Sequence, residues 1–244
     1  MPEYSEAPKD PAAFTQRFDH FYTRFKPVYD LLVRALLVWK TWLCCALPHL
    51  KGPRILEVSF ATGYLMTQYA GRLESHGVDL NERMVAIARE NLRKRGLRGE
   101  LRQGNVESLP YPDSFFDTVL STMAFSGYPD ARKALGEMLR VLMPDGHLVL
   151  IDVNYPADGN RIGTRLTDLW KRAGDLVRDM GALLRERGLN YSDEEIGGRG
   201  SIRLYVATRQ AGRGEAGIGH KVSALPHDAI NTSVQIPNVH RTSR

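Results

Sequence analysis

The amino-acid sequence predicts an α/β fold built on a mostly parallel sheet, and two observations favour it. Between residues 51 and 155, short apolar runs alternate with stretches of helical periodicity, which is the pattern of βαβ units. The run "RILEVSFATGYLMTQYA" reads as a buried strand, a turn of small residues and the start of a helix. A chain of 244 residues can bury the core of one such domain, whereas two full domains would be tight.

The predicted elements follow one another in a regular order. The strand "RILEVS" and the helix "YLMTQYAGR" precede the strand "LESHGVDL" and the helix "ERMVAIARENLRKRG", which glycine and basic residues close. The strands "ELRQGN" and "SFFDTVLS" come next, followed by the helix "DARKALGEMLRVL" with Asp130 as its N-cap. A Pro-Asp-Gly turn leads into "HLVLIDV", and the last block holds one long amphipathic helix and the closing strand "SIRLYVATR".

The two ends of the chain differ from this pattern. We expect residues 1–13 to be flexible and residues 14–50 to form an amphipathic helical cap. Within that cap, the apolar run from Leu31 to Leu47 contains charges and is too short for a spanning helix. It fits either a membrane interface or a helix packed on the sheet over the cofactor site. Residues 210–244 contain no Phe, Trp or Tyr, so we expect disorder there.

Charge and cysteine content exclude several classes of function. The net charge of +5 includes a surplus in the C-terminal tail, and no basic run marks a nucleic-acid surface. Cys44 and Cys45 are adjacent, which gives neither a disulfide framework nor metal-ligand spacing. The N-terminus lacks the basic and apolar regions of a secretory signal. We therefore expect a cytoplasmic protein that does not bind nucleic acid.

Three loops on one sheet edge predict a nucleotide-type cofactor. A turn of small residues between a strand and a helix lets the backbone approach a ligand closely. Asp79 follows the second strand, where an acid accepts hydrogen bonds from ribose hydroxyls, and Asn105 follows the third strand. The first turn nevertheless has Ser59-Phe60-Ala61 where a Gly-x-Gly pattern is expected.

The successive motifs "ILEVSFATG", "GVDLNERMVAIARE", "GNVESLPYPDSFFDTVLS" and "EMLRVLMPDGHLVLIDV" resemble those of class I S-adenosylmethionine-dependent methyltransferases. The run "NVESLPY" and the early Tyr29-Asp30 are similar to quinone C-methyltransferases of the UbiE/MenG type. The resemblance implies a Rossmann-like fold with a mostly parallel seven-stranded sheet and helices on both faces. It also implies an S-adenosylmethionine-binding domain over residues 51–209, with a helical lid at 161–189.

The same resemblance implies a set of cofactor-binding residues. Glu57 and Gly63 would lie near the methionine part of the cofactor, Asp79 at the ribose, and Asn105 and Val106 by the adenine. The full implied set is Tyr29, Glu57, Ser59, Phe60, Ala61, Gly63, Asp79, Leu80, Met84, Asn105, Val106 and Ser121.

A narrower resemblance concerns what is done with the cofactor. The S-x-A-T-G loop, "NERMVAIA" and "NYPADGNRIGTRLTDLWKRAGDLVRDM" resemble the RquA family of rhodoquinone biosynthesis, relatives of UbiE. This implies transfer of the amino group of S-adenosylmethionine to ubiquinone in place of a ring methoxy group, with Mn²⁺ as a helper. We hypothesise that the altered loop presents the amine to the quinone. No cluster of His and Asp has recognisable ligand spacing, so no metal ligands are assigned.

Candidate catalytic groups are the polar residues at the predicted strand ends and in the loops beside them. These are Tyr64, Ser126, Tyr128, Asp152 and Tyr155. The basic amphipathic segment at 161–189 fits either a lid over a lipophilic substrate such as ubiquinone or a solvated helix on the flank. A lid of this kind favours peripheral contact with the inner face of the membrane. A quinone or lipid methyltransferase and a non-catalytic cofactor-binding module remain open alternatives.

Overall fold

The computed structural model describes residues 3–16 and 37–208, and a seven-stranded sheet forms the centre of this part of the chain. The strands run in the order β3-β2-β1-β4-β5-β7-β6. The parallel pairs are β1 with β2, β1 with β4, β2 with β3 and β4 with β5, whereas β7 runs antiparallel to both β5 and β6. The strands are β1 (Arg54–Val58), β2 (Glu74–Asp79), β3 (Glu100–Gln103), β4 (Phe116–Thr122), β5 (Leu142–Val153), β6 (Asn190–Gly197) and β7 (Ile202–Thr208).

The helices lie between these strands and before the first one. They are α1 (residues 11–16), α2 (Leu37–Cys44), α3 (Met66–Tyr69), α4 (Glu82–Lys94), α5 (Ala131–Val141), α6 (Arg161–Ala173) and α7 (Met180–Glu186). Short 3-10 turns occur at Leu47–His49, Phe125–Gly127 and Gly198–Gly200. The side chain of Asp130 accepts a hydrogen bond from the Lys133 backbone N–H, which confirms the predicted cap of α5.

Helices cover both faces of the sheet, as predicted. On one face, the apolar sides of α5 and α7 pack on residues such as Leu56 and Leu148. On the other face, α3 and α4 pack on Ile55 and Val149, with Trp170 of α6 against the same cluster. Each strand of the centre is therefore buried on both sides, which explains the continuous apolar runs in the sequence.

The connections from β1 and β4 leave in opposite directions along the sheet, so a switch point lies between these two adjacent strands. In open α/β sheets, ligands bind beyond the carboxyl ends of the strands at such a point. The loops after β1, β2, β3, β4 and β5 all open at that edge. The fold thus brings the loops that hold the predicted site residues to one edge of the sheet.

Three predicted elements differ from the structure. The helix predicted at "YLMTQYAGR" is limited to Met66–Tyr69. The predicted long lid helix is two helices, because Gly174 at φ 117° ends α6 in a left-handed cap. Strand β6 was not predicted, since "NYSDEEIG" is polar. Its carboxylates Asp193 and Glu195 instead pair with Arg203 of β7, both at 2.7 Å.

The N-terminal segment is held more firmly than the sequence suggests. The Ser5 N–H donates to the Val177 carbonyl at 2.7 Å, and the ring of Tyr4 meets Tyr155 edge-on with centroids 5.6 Å apart. Residues 4 and 5 thus contact the domain, and the flexibility expected of residues 1–13 stays a prediction. Tyr29, most of the predicted cap and the predicted disordered tail at 210–244 lie outside the described residues. In the described part of the chain, no helix combines the length and apolar character needed to cross a membrane.

Candidate functional site

The loop after β1 keeps the backbone shape of a glycine-rich turn without its first two glycines. Ser59 has φ 53°, Ala61 has φ 49° and Gly63 has φ 69°. For residues other than glycine, this left-handed region costs about 1–2 kcal/mol each. The loop therefore has the backbone conformation of a glycine-rich turn, and Ser59 and Ala61 adopt a left-handed conformation that is unfavourable for their residue types.

Asp79 fixes this loop from the end of β2. Its carboxylate accepts hydrogen bonds from the Ala61 N–H at 2.8 Å and from the Asn81 N–H at 2.9 Å. The Ser59 N–H donates to the Val78 carbonyl at 2.7 Å, which continues the pairing of β1 with β2 past the strand end. Asp79 thereby links the two loops that the sequence assigned to the methionine and ribose parts of the cofactor.

Phe60 of this loop is buried in the core of the domain. Its side chain is only 4% exposed and lies in the core on the α4 face of the sheet. A Cβ placed on Gly77 of β2 would lie 2.6 Å from the Phe60 ring, so the absent side chain at Gly77 makes room for it. The Phe60 ring therefore contributes to the core, and the contact of this residue with the cofactor stays a prediction.

Ser59 links the loop to the end of β4 through a buried tyrosine. The Tyr128 hydroxyl donates to Ser59 Oγ at 3.0 Å and lies 3.0 Å from Ser121 Oγ. Burial raises the pKa of Tyr128 well above its usual value, so the phenol stays protonated. The side chain that replaces glycine at position 59 therefore orients one of the predicted catalytic residues.

Glu57 carries a buried carboxyl group next to the loop. It is almost fully buried, and its Oε2 accepts a hydrogen bond from the Tyr69 hydroxyl of α3 at 2.9 Å. Burial raises the pKa of Glu57 to about 8, and the nearby carboxylate of Asp79 acts in the same direction. A positive group brought to this position would reverse that shift, which suits a carboxyl predicted to face the methionine part of the cofactor.

A cavity of about 550 Å³ opens beyond the ends of β2 and β3. Two of the predicted cofactor residues, Leu80 and Asn105, line it, and helix α1 forms the opposite wall. Its lining residues are Ala12, Thr15, Gln16, Leu80, Asn81, Glu82, Arg83, Gln103 and Asn105. The cavity is thus lined by residues predicted to bind the cofactor and by α1, whose contribution was not predicted.

A second polar group forms where β4 and β5 end. The Ser126 N–H donates to Asp152 Oδ2 at 3.0 Å, and Ser126 Oγ donates to Asp175 Oδ1 at 2.8 Å. Burial raises the pKa of both carboxyl groups; the pKa of Asp175 reaches about 6, to which the nearby charge of Asp152 also contributes. Two predicted catalytic residues, Ser126 and Asp152, thus meet a second carboxyl group, that of Asp175, which was not predicted.

The segment between α6 and α7, residues 174–179, crosses this edge of the sheet. The Leu176 N–H donates to the Ser126 carbonyl at 2.8 Å. The guanidinium group of Arg178 donates to the carbonyls of Phe125, Tyr128 and Pro129. This crossing segment therefore covers the ends of β4 and β5, and the role of residues 161–189 as a substrate lid stays a prediction.

The other two predicted catalytic tyrosines lie apart from this group. Tyr64 is half-buried, with Lys40 of α2 4.8 Å above its ring. The hydroxyl of Tyr155 donates to Asp168 of α6 at 3.0 Å, and its pKa is raised to about 12 by burial and by that carboxylate. Both contacts are structural, and the structure does not bring either hydroxyl to Ser126 or Asp152.

The remaining predicted cofactor residues have packing or backbone roles in the part of the chain that the structure describes. Gly63 is required for packing, since a Cβ there would lie 2.9 Å from the Ala88 Cβ of α4, and Val106 is buried in the core. Met84 is half-buried, and its N–H donates to the Asn81 cap of α4. These residues shape the loops, and Tyr29 lies outside the described residues.

The donor groups do not fit the metal implied by the sequence. Among residues 3–16 and 37–208, no three His, Cys, Asp or Glu side chains are grouped so that they could hold an ion. The nearest arrangement, Asp152 with Asp175, offers two carboxyl groups that are already hydrogen-bonded to Ser126. Manganese is therefore not supported by these residues, and no chemical step is assigned to it.

Sequence reasoning missed Tyr69, Asp175 and Arg178. Tyr69 stands at an apolar position of α3, where it reads as core. Asp175 and Arg178 sit in what reads as the middle of one amphipathic helix. Gly174 was the available signal, because a glycine inside a helical pattern often marks a helix end.

Comparison with known proteins agrees with this geometry. Residues 56–150 match the family Methyltransf_11, described as a methyltransferase domain. The UbiE ubiquinone/menaquinone biosynthesis C-methyltransferase of Serratia proteamaculans is 32% identical over 125 residues, which cover 49% of this chain and 50% of that protein. The UbiE protein of Yersinia pestis gives the same identity and coverage. The chain thus spans about half the length of the curated relatives it matches.

Solved structures share the fold at low sequence identity. A Thermotoga maritima S-adenosylmethionine-dependent methyltransferase, described as a possible histamine N-methyltransferase, superposes with a TM-score of 0.60 at 21% identity, covering 78% of this chain and 99% of that one. The YcgJ protein of Bacillus subtilis gives 0.58 at 18%, with 70% and 99% covered. The [4+2]-cyclase SpnF gives 0.55 at 21%, with 67% and 76% covered.

The cyclase among these neighbours means that the fold alone does not fix the reaction. The chain has the Rossmann-like fold of class I methyltransferases, its residues 56–150 match the model of a methyltransferase domain, and about half of the chain is similar to UbiE proteins.

Proposed function

We propose that this protein is an S-adenosylmethionine-dependent transferase whose substrate is a quinone or a similar lipophilic small molecule, and that it transfers a methyl group. The observation that carries the proposal is the single sheet edge at which the left-handed loop, the Asp79 carboxylate and the cavity at β2 and β3 meet. The similarity to UbiE proteins supports methyl transfer to a quinone.

The residues at this edge suit the cofactor. Asp79 would accept from the ribose hydroxyls, Leu80 and Asn105 would border the adenine, and Glu57 would face the ammonium group of the methionine part. When bound, S-adenosylmethionine supplies an electrophilic methyl group on a sulfonium. The protein contributes a loop whose shape is already fixed before binding, because Asp79 holds the Ala61 N–H.

The residues at the ends of β4 and β5 suit the acceptor. The crossing segment, residues 174–179, excludes water from the strand ends, and Tyr128 offers a protonated phenol between Ser59 and Ser121. With a pKa of about 6, Asp175 is mostly ionised at neutral pH and can accept a proton through Ser126 Oγ. A quinol or enol acceptor that loses a proton as it is alkylated would need such a group.

Amino transfer from S-adenosylmethionine to ubiquinone, giving rhodoquinone, is the second candidate. One observation favours it: Ser59 and Ala61 keep the left-handed frame of the loop while adding a hydroxyl bound to Tyr128 and a methyl group. These additions alter the surface that the methionine part would meet. They would change which of its groups faces the acceptor.

Mass spectrometry of the lipid product distinguishes these candidates. The full chain is incubated with a short-tailed ubiquinone, or with a quinol lacking one ring methyl, and with cofactor labelled either in the methyl group or in the amine. Methyl label in the product with release of S-adenosylhomocysteine supports the proposal. Amine label in a product that has lost a methoxy group supports the second candidate and overturns the first.

Two further arms complete the experiment. Parallel reactions with EDTA and with added Mn²⁺ show whether a metal contributes. The double substitution of Ser59 and Ala61 by Gly tests the loop, since amino transfer that continues unchanged would remove the reason for the second candidate. Cofactor binding without turnover of any quinone would instead indicate a module that binds without catalysing.

A further inference from the structure

Helix α6 presents an apolar stripe to solvent. Ile162, Leu166 and Leu169 are 56%, 36% and 62% exposed, and their spacing places them on one face over roughly 10 Å of helix. The adjacent face, about 100° around the helix, is the one that packs on the domain, since Gly163 and Thr167 are buried and Trp170 lies against the core. The side chains of the stripe therefore contribute little to the packing of α6 on the domain.

Basic side chains flank the stripe. Arg161, Arg165 and Arg172 are exposed on the same helix, and no carboxylate of the described residues lies within ion-pair distance of them. The one acid in α6, Asp168, is half-buried and accepts from the Tyr155 hydroxyl. The exposed face of α6 therefore combines apolar side chains with uncompensated positive charge.

Helix α2 adjoins this face through indole rings. The ring centroids of Trp39 and Trp170 lie 6.1 Å apart, and Val38 of α2 is 49% exposed. Indole rings suit the boundary between headgroups and acyl chains, because one part of the ring is apolar and its N–H remains available for hydrogen bonding. The two helices together give a continuous candidate surface, which we call the α6 face: Ile162, Leu166, Leu169, Trp39 and the three arginines.

We propose that the α6 face docks the protein on the anionic surface of a lipid bilayer. Charge complementarity selects this occupant, since a helix whose apolar stripe is bordered by arginines along one side can bind acidic headgroups while the stripe reaches the outer acyl chains. A second copy of the chain is disfavoured, because self-association of this face would bring the same three arginines together. The inference rests on the proposed function, in which a lipophilic substrate is taken from the bilayer at the neighbouring strand ends.

The test is co-sedimentation of the full chain with vesicles of phosphatidylcholine, with and without phosphatidylglycerol. Leu169→Ser and Leu166→Ser each remove one exposed side chain of the stripe, and each should lower the partition coefficient roughly tenfold. Met143→Ser is the matched control, because Met143 is 37% exposed and lies at the other end of β5, and it should leave binding unchanged.

Charge is tested separately. Arg165→Gln combined with Arg172→Gln should lower binding to the phosphatidylglycerol vesicles by at least about tenfold and have little effect on neutral vesicles. The control substitution is Arg72→Gln, an exposed arginine in the turn before β2. Circular dichroism of each variant confirms that the fold is retained, since all these side chains are at the surface.

Two outcomes would overturn the proposal. One is equal vesicle binding by wild type, Leu166→Ser and Leu169→Ser, or no binding by any of them. The other is a concentration-dependent increase in mass by analytical ultracentrifugation that the same substitutions abolish, which would assign the face to a second copy. Turnover of a short-tailed quinone in solution is measured alongside, so that failed docking with intact chemistry, and failed chemistry with intact docking, are told apart.

Discussion

Ala61 sits in a conformation that favours glycine, with φ at 49° and its N–H held by Asp79. Replacing it by glycine should raise the free energy of unfolding by about 0.5–1 kcal/mol, because relief of the left-handed strain exceeds the added entropy of the unfolded chain. Urea denaturation of the two proteins measures the difference.

The matched control is Ala86→Gly on the exposed side of α4. There the backbone is helical, so glycine should lower the free energy of unfolding by about 1 kcal/mol. If both substitutions destabilise equally, Ala61 is not strained in solution, and the loop differs from the one described.

Glu57 makes cofactor binding a proton-linked event. With a pKa of about 8, its carboxyl is mostly protonated at pH 7 in the free protein. The cationic methionine part of S-adenosylmethionine should lower this pKa, so that binding releases up to one proton near neutral pH. Well above pH 8 the carboxyl is already ionised, and the release should disappear.

Isothermal titration calorimetry in buffers of different ionisation enthalpy measures the number of protons released. Glu57→Gln should abolish the dependence on buffer. Glu90→Gln should preserve it, because Glu90 pairs with Arg93 on the surface, and that arginine lowers the pKa of Glu90 to about 2. A wild-type enthalpy that is the same in every buffer would show that Glu57 does not change its protonation on binding.

At the level of elements, Arg178 fastens the crossing segment to the loop after β4. Arg178→Gln removes hydrogen bonds to the carbonyls of Phe125, Tyr128 and Pro129 and leaves these groups short of donors. We expect the free energy of unfolding to fall by about 1–3 kcal/mol. Amide hydrogen exchange across residues 174–178 should become faster by the factor to which this loss of free energy corresponds.

Arg187→Gln serves as the comparison. Arg187 is exposed and donates to a single carbonyl, that of Arg132, so the effect should stay below about 0.5 kcal/mol. Unchanged exchange in the Arg178 variant would mean that the segment is held mainly by its own backbone contacts, such as Leu176 to Ser126.

Elements whose pattern is local could be predicted from the sequence. The buried runs of β1, β4 and β5 and the capped helices α4 and α5 follow from apolar periodicity and from Asp130. Strand β6 could not be predicted in this way, because its Asp193 and Glu195 are compatible with a sheet only once Arg203 of β7 pairs with them. The break at Gly174 differs, because its signal is local: a glycine in the left-handed conformation ends α6.

For the whole molecule, the order of strands places the predicted loops at one edge, and the sequence was sufficient for that. Glu57, Asp79 and Asn105 lie in or just after neighbouring parallel strands, whose ends meet at one edge because the strands share a direction. Their contacts with a cofactor stay predictions. Side-chain direction within the loop was not predictable. Phe60 turns into the core because Gly77, on the neighbouring strand, leaves space for it, and Ser59 meets Tyr128 across the chain.

The crossing segment also bears on how rates are interpreted. Residues 174–179 cover the ends of β4 and β5, and Val177 in turn holds Ser5 of the N-terminal segment. An acceptor that approaches this edge must displace these hydrogen bonds, and its product must displace them again on leaving. Steady-state turnover would then report opening as well as chemistry, whichever group is transferred. Single-turnover measurements on protein that already holds cofactor and acceptor separate opening of the segment from the chemical step. An isotope effect that appears in single turnover and not in steady-state turnover would identify opening as the slow step.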